Sequence, residues 1–258
     1  MMGIKYGGLK RYSRKWWLAL PFSLGDIWMR FSPKDPMVHA QSYWWFGALP
    51  RLHPQDVFPK AAAADYQILN SGRRDPTTST TIYELNCILM GLSHVGAKKI
   101  VEVGTFDGNT TLNMAANVGE EGQVVTLDLP LEDQEPNLEL KIDSALRNVT
   151  DRQIVGEQFL ERPEKSRIKQ VFGDSGKLNW SELGGPFDMA FIDGCHAYEY
   201  VKSDTENALS VVKPGGLIMW HDYAEMEDVS RAVDEFKGRF DHLCALQGTR
   251  IAIGFVKS

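Results

Sequence analysis

The sequence predicts a doubly wound α/β fold, in which helices cover both faces of a mostly parallel β-sheet. Two observations carry this prediction. From residue 82 onward, short apolar runs of strand length alternate with stretches of helical period, and such alternation is typical of parallel sheets. A glycine-rich turn also follows the first strand-like run directly, at residues 104–108. This is where open α/β sheets bind their ligands.

Seven strands and five helices account for the alternation. The strands are expected near residues 99–103, 123–127, 168–172, 187–192, 215–220, 240–246 and 250–256. The helices are expected near residues 82–92, 109–117, 138–161, 197–212 and 227–238. Because only residues 247–249 separate the last two strands, we expect these strands to form a hairpin that adds an antiparallel edge to the sheet.

Composition indicates a cytoplasmic globular protein. A chain of 258 residues with 43% hydrophobic content suits one α/β domain with an extension. No run of about 18 uncharged apolar residues is present, so no transmembrane helix is predicted. The three cysteines are widely spaced and odd in number: Cys87, Cys195 and Cys244. They predict neither a zinc site nor a disulfide framework, as expected in a reducing compartment.

Residues 1–77 are predicted to form an aromatic-rich N-terminal arm, and residues 78–258 the main domain. The arm holds five of the seven tryptophans, and residues 1–60 carry nine basic and three acidic side chains. Three interpretations stay open: a packed arm or a contact in a homo-oligomer, a substrate lid, and, with less support, a membrane-surface anchor. The remainder of the chain is acidic, which argues against a nucleic-acid partner held in a basic groove.

The glycine loop has the sequence Glu-Val-Gly-Thr-Phe-Asp-Gly-Asn-Thr at residues 102–110. Gly104 and Gly108 permit positive φ angles and the close approach of a ligand. The amides after Gly108 open a helix and would face an anionic group. Glu102 at the strand end could accept hydrogen bonds from an amine. The loop lacks both a Walker lysine and the second glycine of a dinucleotide fingerprint.

This loop resembles the E/D-x-G-x-x-x-G-x-S/T motif of class I S-adenosylmethionine-dependent methyltransferases, and especially the branch of catechol-type and bacterial antibiotic and sugar O-methyltransferases. The resemblance covers roughly residues 78–256 and implies a seven-stranded, Rossmann-like methyltransferase sheet with S-adenosylmethionine as cofactor. It implies cofactor contacts from nine residues: Glu102, Gly104, Thr105, Gly108, Thr110, Asp128, Asp174, Ser175 and Asp193. In this assignment Asp128 binds the ribose, and Asp174 with Ser175 lies against the adenine.

Two predicted strand ends carry the residues suited to chemistry. Asp193 follows strand 187–192 and His196 comes three residues later, whereas His221 and Asp222 follow strand 215–220. In catechol-type enzymes the acid matching Asp193 binds a metal, and the residue three positions on is the general base. His196 occupies that position, and a neutral imidazole can take a hydroxyl proton near pH 7.

The pair His221-Asp222 departs from the acid and amide that catechol-type enzymes place there, so two mechanisms stay open. In the first, Asp193, His221 and Asp222 hold a divalent metal. Oxygen ligands favour Mg²⁺, and a mixed set of histidine and aspartate suits Mn²⁺ better. In the second, catalysis needs no metal, His196 or His221 is the base, and Asp222 orients it.

The sequence therefore predicts an O-methyltransferase that moves the methyl group of S-adenosylmethionine to a hydroxyl of a small molecule or sugar. His196 is the expected base, and Asp193 and His221 are the other expected catalytic residues. Two alternatives are a nicotinamide-dependent oxidoreductase on a similar sheet and a non-catalytic partner protein that retains a nucleoside pocket.

Overall fold

A computed structural model of the chain describes residues 47–61, 63–70, 80–130 and 154–258. Its eight strands are β1 (Arg51–Leu52), β2 (Lys99–Val103), β3 (Gln123–Asp128), β4 (Ile168–Phe172), β5 (Phe187–Ile192), β6 (Val212–Trp220), β7 (Phe240–Leu246) and β8 (Ala252–Val256). Its α-helices are α1 (Pro54–Val57), α2 (Ile82–Val95), α3 (Asn109–Asn117), α4 (Tyr198–Val211) and α5 (Glu227–Asp234). Short 3₁₀ turns cover Pro59–Ala61, Pro163–Arg167 and Trp180–Leu183.

The strands form one sheet in the order β1-β7-β8-β6-β5-β2-β3-β4. Pairs along the sheet are parallel except those that β8 makes with β6 and β7. The fold is therefore the predicted doubly wound, mostly parallel sheet with an antiparallel hairpin near one side. All seven predicted strands are present.

The predicted strand count is wrong by one, and the hairpin does not form the sheet edge. The two residues of β1 pair in parallel with β7, so that Arg51 lies opposite Ala245 and Leu52 opposite Leu246. A strand of two residues has no alternation that a sequence pattern could reveal. The pairing covers the outer side of β7, which would otherwise offer unpaired backbone groups to other chains.

Residues 51–61, which the sequence places in the arm, join the sheet and its core. The ring of Phe58 is fully buried and Ala61 is 3% exposed. Both belong to the hydrophobic cluster that lies between α2 and the sheet. Residues 1–46 and 71–79 are not among the described residues, so the five N-terminal tryptophans and the boundary at 77/78 stay outside this description.

The helix predicted over residues 138–161 is wrong where the structure describes it. Residues 154–161 form turns, and the segment before them lies outside the described residues. The amide of Gly156 donates to the carbonyl of Phe106 at 2.9 Å, and the amide of Gln158 donates to that of Asp107 at 2.9 Å. The backbone of this segment therefore combines local turns, such as the hydrogen bond from the Phe159 amide to the Gly156 carbonyl, with hydrogen bonds to the glycine loop.

Helix α2 shows how local sequence sets the element boundaries. Thr81 caps its N-terminus: its hydroxyl accepts the amide of Glu84, and the carboxylate of Glu84 accepts the amide of Thr81 in a capping box. Gly96 ends the helix in the left-handed conformation at φ +62°. Helix α5 ends at Asp234, four residues earlier than predicted. Within the described parts of the chain, none of the helices has the length and hydropathy needed to cross a membrane.

Candidate active site

The carboxyl ends of the central strands meet at one edge of the sheet, and backbone hydrogen bonds connect them. The amide of Gly104 donates to the carbonyl of Leu127, that of Asp193 to Val103, and that of His221 to Ile192, at 2.8, 2.9 and 3.0 Å. This arrangement places the glycine loop beside the two strand ends that carry the predicted chemistry. Sequence spacing alone did not reveal these contacts.

Gly104 and Gly108 both adopt positive φ, at +94° and +86°. A Cβ atom on Gly104 would lie 2.0 Å from the carbonyl oxygen of Asp193, which is well inside van der Waals contact. A Cβ atom on Gly108 would meet the ring of Phe159 at 2.5 Å. At Gly104 the absence of a side chain thus permits two strand ends to approach each other.

Glu102 lies beneath the glycine loop and has no exposed surface. Its Oε2 atom accepts hydrogen bonds from the hydroxyls of Thr111 and Thr126, whereas Oε1 is buried without a partner. Burial raises the pKa of Glu102 to about 8, and the nearby charges of Asp193 and Asp128 add to this shift. The side chain therefore connects β2, β3 and α3 rather than presenting an open carboxylate.

The two threonines assigned to the cofactor make hydrogen bonds within the protein. The hydroxyl of Thr105 is 2.7 Å from that of Thr126, and the hydroxyl of Thr110 is 3.2 Å from that of Thr80. Thr105 is only 3% exposed. Both hydroxyls therefore help to hold the loop, and Thr110 remains partly exposed.

Asp128 ends β3 next to the glycine loop. Its two carboxylate oxygens accept the amides of Phe106 and Leu129, each at 2.8 Å. Phe106 has a positive φ of 51°, an uncommon conformation for a bulky residue. The hydrogen bond to Asp128 thus helps to hold a strained loop, and the carboxylate lies within the predicted ribose region.

Asp174 and Ser175 follow β4 and are packed against the start of α4. The hydroxyl of Tyr200 donates to Asp174 at 3.1 Å, and the amide of Gly176 donates to Asp174 at 3.0 Å. The carbonyl of Ser175 accepts the indole N–H of Trp180 at 3.0 Å. These contacts fix the turn that the resemblance assigns to the adenine.

The four residues at the ends of β5 and β6 form one cluster. His196 Nε2 lies 2.9 Å from the Oδ2 of Asp222, and His221 Nδ1 lies 3.2 Å from Oδ1 of both Asp193 and Asp222. Asp222 adopts a positive φ of 54°, and such strain is concentrated at functional sites. The strand ends therefore bring together the residues that the sequence predicted as catalytic.

The two histidines differ in access. The side chain of His196 is 22% exposed, and that of His221 is 4% exposed. His221 Nε2 lies 3.5 Å from the Oε2 of Glu84 on its other side. The distances are those of ion pairs, and neither ring nitrogen of His221 is aligned for a hydrogen bond. A substrate can reach His196 from solvent, whereas His221 faces three carboxylates.

The carboxylates favour the protonated form of both rings. Burial opposes the charged imidazole of His196, but Asp222 outweighs this effect and the pKa of His196 is raised. The same balance, with Asp193 and Asp222 as the favourable charges, raises the pKa of His221 well above its ordinary value. Burial disfavours the charged form of Asp222, yet both histidines hold the pKa of Asp222 well below its usual range.

Sequence reasoning missed Glu84 and Arg250, which complete the cluster. The guanidinium of Arg250 binds Glu84 through two N–H groups, at 3.0 and 2.9 Å, and its Nη1 lies 3.1 Å from Asp222 Oδ1. The spacing Thr81-x-x-Glu84 could have drawn attention to Glu84 as a helix cap. No pattern marked Arg250, because its partners are 28 and 166 residues away in sequence.

The donor set that fits a divalent cation differs from the predicted one. One ligand atom from each of Asp193, His196 and Asp222 lies within 4.8 Å of the others. The predicted set had His221 in place of His196; the ring of His221 is 4% exposed and its Nδ1 atom lies 3.2 Å from an oxygen of each of the two carboxylates. Two carboxylates and one imidazole suit Mn²⁺, Fe²⁺ or Zn²⁺ more than Mg²⁺.

A doubly wound sheet with a glycine loop and an acidic strand end beside it defines a class of α/β proteins that bind nucleosides. Within this class, residues 101–223 match the family described as "Methyltransferase domain". This segment, which spans β2 to the residues after β6, is thus similar to methyltransferase domains. It contains the glycine loop and all four residues of the strand-end cluster.

Two curated relatives are O-methyltransferases. The chain is 28% identical over 140 residues to caffeoyl-CoA O-methyltransferase 2 of Zea mays, covering 54% of this chain and 47% of that protein. It is 29% identical over 108 residues to catechol O-methyltransferase of Mycobacterium tuberculosis, covering 42% of this chain and 40% of that protein. The matched part thus spans less than half the length of either relative.

Solved structures of similar architecture include an O-methyltransferase from Bacillus cereus in complex with SAH. It is 16% identical in sequence, the match covers 87% of this chain and 92% of that one, and the TM-score is 0.49.

Proposed function

We propose that the protein transfers a methyl group from S-adenosylmethionine to a hydroxyl of a small molecule or sugar. The observation that carries the proposal is the His196–Asp222 pair, at 2.9 Å, located at the sheet edge next to the glycine loop of a segment similar to methyltransferase domains. The names of the two curated relatives, both O-methyltransferases, support oxygen as the accepting atom.

The predicted cofactor residues lie in or next to the glycine loop and at the ends of β3, β4 and β5. In the proposed function the backbone at Gly104 and Gly108 and the start of α3 accommodate the methionine part, Asp128 accepts the ribose hydroxyls, and Asp174 with Ser175 flanks the adenine. Glu102 supports the loop from beneath through Thr111 and Thr126. When bound, the cofactor would supply a methyl group on a sulfonium; in-line attack of the acceptor oxygen on that carbon would form the new O–C bond as the S–C bond breaks and the neutral thioether leaves.

His196 is the proposed general base. Because Asp222 engages Nε2, the other ring nitrogen, Nδ1, is the atom that would accept the hydroxyl proton. Asp222 orients the ring and stabilises the imidazolium that forms, as carboxylates do in other histidine pairs. His221 is 4% exposed, so we propose that it acts through Asp193 and Asp222 and not by touching the substrate.

A divalent metal is the alternative source of hydroxyl activation. Asp193, His196 and Asp222 would hold it, and it would lower the pKa of the acceptor hydroxyl. His196 would then be a ligand rather than a base. The two mechanisms therefore differ in the effect of chelation: EDTA abolishes transfer if the metal is required and leaves it unchanged if His196 acts alone.

Calorimetric titration of the purified protein with S-adenosylmethionine tests the cofactor. We expect a Kd of about 1–100 μM, roughly −8 to −5.5 kcal/mol, and no heat with NAD. Asp128→Asn should weaken binding at least tenfold, because a carboxylate that accepts two hydroxyls is lost. The matched control Asp241→Asn changes an exposed aspartate on β7 and should bind as the unsubstituted protein does. Binding of NAD alone would favour the oxidoreductase.

Transfer of labelled methyl groups to a panel of phenols, catechols and sugars tests the acceptor class. Binding of the cofactor with no transfer, and no effect of His196→Ala on any activity, would favour the non-catalytic partner protein.

Location and assembly are further proposals. The three cysteines carry no disulfide, and two of them, Cys87 and Cys244, are buried, which supports a reducing cytoplasmic environment. A homo-oligomer through the N-terminal arm is proposed from the aromatic content of that segment alone. Light scattering of the full chain and of a chain beginning at residue 47 tests it.

A further inference from the structure

A buried ion-pair network behind the catalytic cluster joins three separate parts of the fold. Arg250 lies in the turn between β7 and β8, Glu84 in the first turn of α2, and Asp222 at the end of β6. The side chains of these residues are 13%, 3% and 9% exposed. Removing three ionised groups from water is costly unless they are closely paired.

The geometry around Arg250 is specific for a guanidinium. Its Nε and Nη2 atoms bind the two oxygens of Glu84 at 3.0 and 2.9 Å, and its backbone amide donates to the same carboxylate at 2.9 Å. The Nη1 atom contacts Asp222 at 3.1 Å and Glu225 at 3.1 Å. A lysine offers a point charge on a flexible stem and cannot reproduce this planar fork.

The turn itself is built to hold Arg250 in place. The hydroxyl of Thr249 donates to the carbonyl of Leu246 at 2.9 Å, and the amide of Ile251 donates to that hydroxyl at 3.0 Å. Thr249 and Ile251 are 1% and 0% exposed. Burial and hydrogen bonds therefore hold the residues on both sides of Arg250 in place. This restricts the directions that the Arg250 side chain can take.

Asp222 is the point where this network meets the proposed chemistry. Its Oδ1 atom faces Arg250 and His221, and its Oδ2 atom faces His196. The backbone of Asp222 is in the left-handed region, at φ +54°, a strained conformation that persists only with support from its surroundings. Arg250 contributes such support and fixes the plane of the carboxylate that orients His196.

We propose that Arg250 is a positioning residue: together with Glu84 it holds Asp222 in the orientation that sets the tautomer and direction of the His196 ring. The proposal rests on the proposed function for its catalytic consequence, but the orientation of His196 can be measured without an acceptor. Arg250 touches no reacting atom in this role, so it acts through Asp222.

Long-range ¹H–¹⁵N spectra of the histidine rings test the proposal directly. In the unsubstituted protein we expect the His196 proton on Nε2, facing Asp222. In Arg250→Met the His196 signals should report a mixture of the Nδ1-protonated and Nε2-protonated tautomers. Arg250→Lys should give an intermediate result, because the charge remains and the fork is lost. Arg239→Met is the matched control, since Arg239 pairs with Glu206 at an exposed site and should leave the His196 signals unchanged.

Glu84→Gln is the second variant, to be used if Arg250→Met does not fold. It preserves the side-chain volume and removes the carboxylate that Arg250 binds. With an accepted substrate from the panel, kcat should fall about 10- to 100-fold in Arg250→Met while KM for S-adenosylmethionine stays within about twofold. His196 signals that match those of the unsubstituted protein in folded Arg250→Met, or in Glu84→Gln if Arg250→Met does not fold, would overturn the positioning role. Absence of S-adenosylmethionine binding in the unsubstituted protein would instead overturn the proposed function, and the ring signals would still decide the role of Arg250.

Discussion

At the scale of single residues, His196 is the side chain on which the proposed chemistry depends. Replacing it by alanine should lower methyl transfer by about 10²- to 10⁴-fold, the usual range for a general base, with the Kd for S-adenosylmethionine unchanged within about twofold. Transfer assays and calorimetry on the same preparation separate the two effects. His242→Ala is the control, because His242 is exposed on β7; equal activity in the two variants would contradict the assignment.

The pH dependence of transfer follows from the same residue. A base acts only when neutral, so the rate falls as pH falls through its pKa. Burial lowers the pKa of His196, but Asp222 outweighs this effect and the pKa is raised overall. The acidic limb of the rate profile should therefore lie above the ordinary histidine pKa of about 6.5. Asp222→Asn should move that limb to lower pH, measured as kcat against pH. A limb that moves to higher pH in this variant would be inconsistent with the pair.

Glu102 makes a separate prediction about stability. Burial raises its pKa to about 8 in the folded protein, above about 4.3 in the unfolded chain. Between these values the folded state binds the extra proton, so its stability falls as pH rises. Because of this carboxyl, the free energy of unfolding should be about 1–3 kcal/mol lower at pH 8 than at pH 5.5. Urea unfolding at both pH values measures the difference.

Glu102→Gln should remove most of this pH dependence, because the amide keeps an oxygen for Thr111 and Thr126 and carries no proton to lose. The control Glu121→Gln alters a side chain that is 88% exposed and should behave as the unsubstituted protein. A slope with pH that is the same in Glu102→Gln as in the unsubstituted chain would show that another group is responsible.

At the scale of elements, the glycine loop can be tested by a matched pair of substitutions. Gly104 and Gly119 both have positive φ, at +94° and +79°. A Cβ atom added to Gly104 would lie 2.0 Å from the carbonyl oxygen of Asp193, whereas a Cβ atom added to Gly119 would have no neighbour within 4 Å. Gly119→Ala should therefore cost about 1 kcal/mol of backbone strain. Gly104→Ala should cost several times more and abolish cofactor binding.

Denaturant unfolding and calorimetry measure this difference. Similar losses in the two variants would mean that conformation alone, and not the close approach of β2 and β5, requires glycine at position 104.

At the scale of the whole molecule, the segment before α2 is part of the domain core. Phe58 is fully buried, and its ring contacts His94 of α2 and Phe255 of β8 at centroid distances of 5.6 and 6.4 Å. Phe58→Ala should destabilise the protein by about 3–5 kcal/mol, the usual cost of such a cavity. Leu52→Ala, at a side chain that is 44% exposed, should cost far less. Thermal or urea unfolding of both variants gives the comparison.

The sequence by itself determined the order of the elements, because periodicity and turn residues are local properties. The seven longer strands, the glycine loop and the acids at the ends of β3 and β5 could all be located from patterns a few residues long. The resemblance of that loop then indicated the class, since the spacing of Gly104 and Gly108 reflects how closely a backbone must approach a ligand.

Only the tertiary structure decided which side chains meet. It added β1 to the sheet, left His196 more exposed than His221 although both rings lie beside Asp222, and brought Arg250 to Glu84 across 166 residues. Contacts between distant segments depend on packing, which leaves no periodic trace in the chain. The resemblance to a class is thus readable from local sequence, whereas the arrangement of the buried charges around His196 follows from the fold.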